Sequence, residues 1–216
     1  MSQSFSWELF EKIPLVGILR NFPHRQMKKL SECYERAGLT TLEITMNSQG
    51  AAETIASLIQ TVNGGLNVGA GTVCNLQDLD LALEAGAQFI VTPIVDPSVI
   101  KKCVDHHIPI FAGAYTPTEI YQAWSLGASM VKVFPASKLG PDYIKEVLAP
   151  LNQIKLLPTG GISLDNLKDF MKAGAKGLGI GSQLIPRQLV ENEDWGALDV
   201  HFASFINKYK EFLHEN

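Results

Sequence analysis

The chain is poor in charge, in basic clusters and in long apolar runs. Only 19% of its 216 residues are charged, and Lys and Arg are scattered, so nothing indicates a nucleic-acid-binding protein. No apolar run approaches the roughly 18 residues of a membrane span, and the first twenty residues lack the pattern of a secretory signal. We therefore expect a soluble, cytoplasmic protein that binds neither membrane nor nucleic acid and acts on a small molecule.

Cysteine and histidine are also sparse. Cys33, Cys74 and Cys103 are an odd number without a C-x-x-C pair, which predicts neither a disulfide framework nor a zinc site. The five histidines show no metal-ligand spacing such as H-x-x-x-H. The expectation is a reducing compartment, no bound metal and no cofactor.

The sequence does contain a regular alternation of short apolar runs and helical segments. Apolar runs too short for helices, bounded by Gly or Pro, are typical of strands buried on both faces of a parallel sheet. The predicted strands are Leu15–Leu19, Leu42–Thr45, Asn67–Ala70, Phe89–Thr92, Ile108–Ala112, Met130–Phe134, Lys155–Leu157 and Gly177–Ile180. The amphipathic segments between them are Met27–Ala37, Ala51–Val62, Leu76–Ala85, Thr118–Leu126, Tyr143–Leu148 and Leu164–Ala173.

This alternation predicts an α/β fold, a compact (β/α)8 TIM barrel. Eight strand–helix units in 216 residues average about 27 residues each, slightly less than in a barrel of about 250 residues. We expect one domain over residues 1–216, closed by a C-terminal helix at Asp199–Leu213. A doubly wound open sheet is the alternative fold, and a partner-binding role is the alternative for that last helix.

Two charged residues interrupt the predicted strands. Lys132 lies in Met-Val-Lys-Val-Phe-Pro and Glu43 in Leu-Glu-Ile, and we assign both to the carboxyl-terminal half of a strand, toward the end where barrel enzymes place reacting groups. A buried lysine tends to lose its proton and then attacks carbonyl carbons, and a carboxyl group beside it can transfer protons. The structural alternatives are a lysine that extends its head to solvent and a buried ion pair.

Glycine-rich loops follow the last two strands. Gly160 and Gly161 come after Thr159, and Gly181 precedes Ser182, where such barrels commonly bind phosphate. Tight turns without a ligand are the alternative. A dinucleotide fingerprint does not fit, because no βαβ unit begins at this point.

Taken in order, these motifs resemble the KDPG/KHG aldolase family, named for 2-keto-3-deoxy-6-phosphogluconate and 4-hydroxy-2-oxoglutarate. The resemblance runs from about Pro14 to Pro186. It rests on Gly17–Arg20, Leu42–Thr45, Gly69–Val73, Val91–Pro93, Thr116–Glu119, Lys132–Ala136, Pro158–Ile162 and Gly181-Ser182.

The resemblance implies a metal-free, homotrimeric class I aldolase that forms a Schiff base. The expected reaction cleaves 2-keto-3-deoxy-6-phosphogluconate, a phospho sugar acid, to pyruvate and glyceraldehyde 3-phosphate, with 4-hydroxy-2-oxoglutarate as a further substrate. By the same resemblance Lys132 is the Schiff-base lysine and Glu43 the proton-transfer group. The substrate-binding residues implied or inferred are Arg20, Asn47, Thr72, Pro93, Thr159, Gly160, Gly161, Gly181 and Ser182.

The sequence departs from the gluconate branch at the substrate-binding positions. Asn47 stands where that branch has Arg four residues after the glutamate, and Arg20 is the candidate to replace its positive charge. Asn47-Ser48 and Val91–Pro93 are more similar to the branch acting on 2-keto-3-deoxy-6-phosphogalactonate, although Ile94 departs from that branch too. The galactonate epimer, which differs only at C4, is therefore the alternative substrate. A non-catalytic phosphosugar-binding module and a metal-dependent lyase are the alternative classes.

Overall fold

The computed structural model describes residues 4–62 and 64–215 and has the predicted barrel architecture. All eight predicted strands are present, within a few residues of the expected boundaries. They are β1 (Leu15–Leu19), β2 (Thr41–Thr45), β3 (Asn67–Gly71), β4 (Ile90–Val91), β5 (Ile110–Ala114), β6 (Met130–Val133), β7 (Leu156–Pro158) and β8 (Leu178–Ile180). Apart from Ile18, every residue in these strands is buried, as continuous apolar runs predict for a parallel sheet covered on both faces.

The strands form one parallel sheet that closes on itself. Their order is β7-β6-β5-β4-β3-β2-β1-β8. A parallel bridge between Thr159 and Gly179 joins β7 to β8 and completes the ring. The closed ring excludes the doubly wound open sheet, and it places the carboxyl ends of all strands at one end of the barrel.

Helices follow the strands around the outside. They are α1 (Trp7–Lys12), α2 (His24–Ala37), α3 (Ala51–Thr61), α4 (Leu76–Glu84), α5 (Pro97–Asp105), α6 (Pro117–Ser125), α7 (Gly140–Leu148), α8 (Leu167–Lys172), α9 (Arg187–Glu191) and α10 (Trp195–His214). Across the two described ranges, none of them is long and apolar enough to cross a membrane.

Capping side chains explain where several helices begin. Asn75 accepts a hydrogen bond from the Asp78 amide at the start of α4, and Asp96 accepts from the Ser98 and Val99 amides at the start of α5. The expected start of α8 just after Ser163 is wrong. Asn166 accepts from the Ser163 amide and binds the Gly161 carbonyl, so its side chain stabilises a turn and the helix begins only at Leu167.

The long helix α10 covers the outside of the barrel. It buries Leu198, Phe202, Phe205, Ile206 and Tyr209. Phe202 meets the Tyr34 ring of α2 edge to face at 5.3 Å. The apolar residues of the predicted closing helix therefore pack largely in the core, while Leu213 at its end is 52% exposed.

Aromatic rings fill the barrel at the amino end of its strands. Phe5 and Phe10, from the segment before β1, pack with Phe89 and Phe111 at centroid distances of 5.2 to 6.1 Å. Trp7 covers them from outside. The sequence-based interpretation did not assign this segment a role. Its packing closes the amino end of the barrel, opposite the end where the polar residues lie.

Candidate active site

A cavity of about 350 Å³ opens at the carboxyl end of the strands. Its lining includes Lys132 from β6, Arg20 after β1 and the glycine loops after β7 and β8. Of the predicted site residues it brings together Arg20, Lys132, Thr159, Gly160, Gly161, Gly181 and Ser182. Residues that are distant in sequence thus meet because parallel strands end at the same rim.

Lys132 projects into this cavity from the most buried part of the sheet. It is paired with Gly113 of β5 and Leu157 of β7, and only 5% of the residue is exposed. Its Nζ lies 5.1 Å from the centroid of the Phe134 ring. Because the residue is buried, it is not the solvent-directed lysine of the structural alternative, and among the described residues no ion pair within 4.0 Å and no hydrogen bond holds its amine.

Glu43 lies behind Lys132, in the middle of β2. The residue is 1% exposed, and its Oε1 has no hydrogen-bond partner. A Cβ at Gly71 would lie 2.5 Å from that oxygen, so only glycine leaves room for the carboxyl group at this position. Among the described residues, no ion pair within 4.0 Å joins Glu43 to Lys132. The two side chains therefore do not form the buried ion pair of the structural alternative.

Burial shifts both groups toward their neutral forms. Desolvation lowers the pKa of Lys132 from its ordinary 10.5, and the positive charge of Arg20 lowers it further, against the opposing effect of Glu43. Desolvation likewise raises the pKa of Glu43 from 4.5, against the attraction of Lys132 and Arg20. A neutral amine beside a carboxyl group that can hold a proton is the combination needed for covalent chemistry at a carbonyl carbon.

The two glycine loops form part of the cavity wall. Gly160 and Gly161 have φ values of 94° and 76°, which a residue with a side chain adopts only under strain. Among the described backbone hydrogen bonds outside helices and strands, none is donated by the amides of Gly161 or Ser182. This wall can therefore donate hydrogen bonds to an anion.

Four predicted residues do not line the cavity directly: Glu43, Asn47, Thr72 and Pro93. Thr72 follows β3 with a φ of 56°, a rare conformation for a β-branched residue and a sign of local strain. Next to Pro93, the Thr92 hydroxyl binds the Ile94 carbonyl and accepts from the Gly113 amide, which fixes the loop after β4. Asn47 is exposed on the loop after β2.

The sequence-based interpretation missed several residues of the cavity wall. Phe22, Phe134, Ile162, Gln183, Ile185 and Arg187 all line it. Arg187 had one available signal, since it is the only arginine after Arg36 and it closely follows the Gly181-Ser182 loop. His201 contacts the carbonyl of Gln183, a residue of the cavity wall, through Nε2 at 2.8 Å.

Residues 4–62 and 64–215 contain no group of three or more His, Cys, Asp or Glu side chains placed to hold a metal ion.

Comparisons with known proteins agree with this geometry. A family model described as KDPG and KHG aldolase matches residues 8–200. The 2-dehydro-3-deoxy-6-phosphogalactonate aldolase of Escherichia coli (strain K12) is 33% identical over 203 residues, 93% of this chain and 96% of that one. The 2-dehydro-3-deoxy-phosphogluconate aldolase of Haemophilus influenzae is 35% identical over 167 residues, covering 77% and 78%. A solved native KDPGal structure matches with a TM-score of 0.88 at 30% identity, covering 98% and 100%.

The shifted pKa of Glu43 predicts how stability depends on pH. Because the folded-state pKa lies above the unfolded value of 4.5, its contribution to stability is fully present below about pH 4.5 and is lost as pH rises through the folded pKa. The substitution Glu43→Gln removes this titration. Urea unfolding of both proteins between about pH 4 and pH 7 should therefore show the wild type losing free energy of unfolding relative to the variant. A difference that stays constant over this range would contradict the buried, neutral-leaning carboxyl group.

Proposed function

The chain belongs to the KDPG and KHG aldolase family and is a class I aldolase, and from that premise we propose its substrate and the residues that act on it. The proposed reaction cleaves 2-keto-3-deoxy-6-phosphogluconate to pyruvate and glyceraldehyde 3-phosphate. The observation that carries this proposal is the buried, unpaired Lys132 in the cavity, with the Glu43 carboxyl group behind it.

Lys132 is the proposed nucleophile. Its neutral amine attacks C2 of the keto acid, and the resulting carbinolamine loses water to give a protonated Schiff base. The lowered pKa of Lys132 supports this role, because only the unprotonated amine has a free electron pair. The cationic imine then accepts the electrons of the C3–C4 bond when that bond breaks.

Glu43 is the proposed proton carrier. As carboxylate it removes the C4 hydroxyl proton, so that C4 leaves as the aldehyde carbon of glyceraldehyde 3-phosphate while C3 becomes part of an enamine. The same carboxyl group then returns the proton to C3, and water hydrolyses the imine to release pyruvate and regenerate the amine. The raised pKa of Glu43 supports both steps, because burial makes the carboxyl group hold a proton more readily than an exposed glutamate does.

The remaining predicted residues are assigned to the two ends of the substrate. Gly160, Gly161, Gly181 and Ser182 are the proposed phosphate site, supported by the Gly161 and Ser182 amides, which donate to no protein acceptor among the described backbone hydrogen bonds outside helices and strands. Thr72 and the main chain near Pro93 are the proposed contacts of the keto-acid carboxylate. Binding both ends would hold C2 within reach of Lys132, which converts binding energy into alignment.

Arg20 and Asn47 are the proposed contacts of the middle of the substrate, with Thr159 in the wall beside them. Their loops touch, because the Asn21 amide donates to the Ser48 hydroxyl at 2.9 Å. A cation from Arg20 would stand in for the arginine that the gluconate branch carries at the position of Asn47.

The galactonate epimer is the second candidate substrate. Asn47-Ser48 and Val91–Pro93 favour it, and so does the extent of similarity to the phosphogalactonate aldolase of E. coli, which spans 93% of this chain. Since the two acids differ only at C4, a few side chains of the wall could decide between them.

A homotrimer in the cytoplasm completes the proposal. The family resemblance implies the trimer, and exposed apolar side chains in the segments after β4 and β5, among them Ile94 and Tyr115, support a protein contact there. A doubly charged phosphate substrate, which does not cross a membrane unaided, supports the location. Light scattering should give about three times the 23.6 kDa of one chain, whereas a monomer at micromolar concentration would contradict the assembly.

Pyruvate release from three keto acids at matched concentration tests the proposed substrate. We expect release from the phosphorylated gluconate or galactonate acid, with kcat/KM about tenfold or more above that for 4-hydroxy-2-oxoglutarate, because only the phosphorylated acids engage the glycine loops. The ratio between the two epimers decides between the two candidates. The Lys132→Met variant is the inactive control. A wild-type protein that released pyruvate from neither phosphorylated acid would contradict the proposal.

A further inference from the structure

The strongest feature not used by the proposed reaction is the side chain of Arg187, the first residue of α9. Its Nη2 donates to the Arg20 carbonyl at 2.8 Å and its Nη1 donates to the Asn21 carbonyl at 2.9 Å. Its guanidinium also lies 4.8 Å from the centroid of the Phe22 ring. One side chain from the β8 side of the barrel thus contacts three consecutive residues of the loop after β1.

That loop depends on outside contacts for its shape. Asn21 has a φ of 55°, in the left-handed region that non-glycine residues seldom adopt. Its amide donates to the Ser48 hydroxyl and its carbonyl accepts from Arg187, so the strained residue is held from both sides. The loop is consequently clamped between the segments that follow β2 and β8.

Arg20 has no comparable support of its own. Its side chain forms no hydrogen bond and no ion pair within 4.0 Å in the described part of the chain, although it lines the cavity and acts electrostatically on Lys132 and Glu43. The direction in which its guanidinium points therefore depends on the backbone from which it extends, and Arg187 binds that backbone.

We propose that Arg187 is a positioning residue, which holds the Arg20–Phe22 loop so that the Arg20 guanidinium faces the substrate and Lys132. This proposal rests on the proposed function, since it assigns Arg20 a role there. Arginine suits the position because its planar fork donates to two carbonyls while its face stacks on Phe22. Lysine offers neither the fork nor the stacking surface.

A double-mutant cycle tests whether Arg187 acts through Arg20. The variants Arg20→Ala and Arg187→Ala should each lower kcat/KM for the preferred phosphorylated acid by about tenfold, mainly through KM. The double variant should be no worse than Arg20→Ala within about twofold, because a residue acting through another adds nothing once that residue is gone. If the two losses of kcat/KM instead multiply in the double variant, and only with phosphorylated substrates, the proposal is overturned in favour of a direct contact between Arg187 and the phosphate.

Two further variants separate positioning from a general structural role. Arg187→Lys keeps the charge but should remain impaired, because it cannot form both carbonyl bonds. Glu191→Gln is the matched control, since it removes the 3.2 Å ion pair to Arg187 and leaves both carbonyl bonds in place. Its kcat/KM should stay within about twofold of wild type. The proposal would be overturned if Arg187→Lys had the kcat/KM of the wild type, or if Glu191→Gln lowered kcat/KM as much as Arg187→Ala does.

The pH dependence of Schiff-base formation with pyruvate gives a readout that needs no phosphorylated substrate. Lys132 is faced by Arg20 from β1, by Glu43 from β2 and by Cys74 after β3, and Arg187→Ala leaves all three in the chain. If the substitution lets Arg20 move away, the midpoint for borohydride trapping should shift to higher pH, as it should in Arg20→Ala. An unchanged midpoint would refute the positioning role. A wild-type protein that forms the pyruvate adduct but cleaves no keto acid would contradict the proposed substrate. The pH midpoint of trapping would still decide whether Arg187 positions Arg20, because that measurement uses pyruvate alone.

Discussion

The structure depends on placing two ionisable groups in the interior of an apolar barrel. Lys132 and Glu43 are 5% and 1% exposed, and desolvation shifts the pKa of each toward its neutral form. Such burial normally costs stability, because each group would be better solvated as an ion in water. The barrel tolerates it because the other strand residues form a continuous apolar core around the site. The same desolvation favours the neutral amine of Lys132 over its ammonium form.

Much of the remaining architecture positions this pair. The aromatic cluster of Phe5, Phe10, Phe89 and Phe111 closes the amino end of the barrel, which leaves the cavity at the carboxyl end. Gly71 provides the space for the Glu43 carboxyl group. The glycine loops after β7 and β8 line the same cavity as Lys132, which has a volume of about 350 Å³.

The barrel and its central pair were predictable because both leave strong local signals. Eight short apolar runs with helical segments between them specify a parallel barrel, and a Lys or Glu inside such a run is conspicuous. The aromatic cluster at the amino end of the barrel and the hydrogen bonds from Arg187 to the loop after β1 were not predictable in this way. Phe5, Trp7 and Phe10 precede the repeating units, and the contact of Arg187 with Arg20 spans 167 residues of sequence, so only the closed ring of strands brings them together. The late start of α8 arose from a side-chain turn at Asn166 that competes with helix formation.

The central claim is that Lys132, and no other lysine, forms the covalent bond to the keto acid. Incubation with pyruvate and borohydride, followed by intact-mass and peptide analysis, tests it directly. The account predicts one reduced pyruvate per chain, located at residue 132 and absent from Lys132→Met. The variant Lys138→Met, which removes an exposed lysine six residues away, should retain the adduct. No adduct in the wild type, or an adduct on another lysine, would contradict the account.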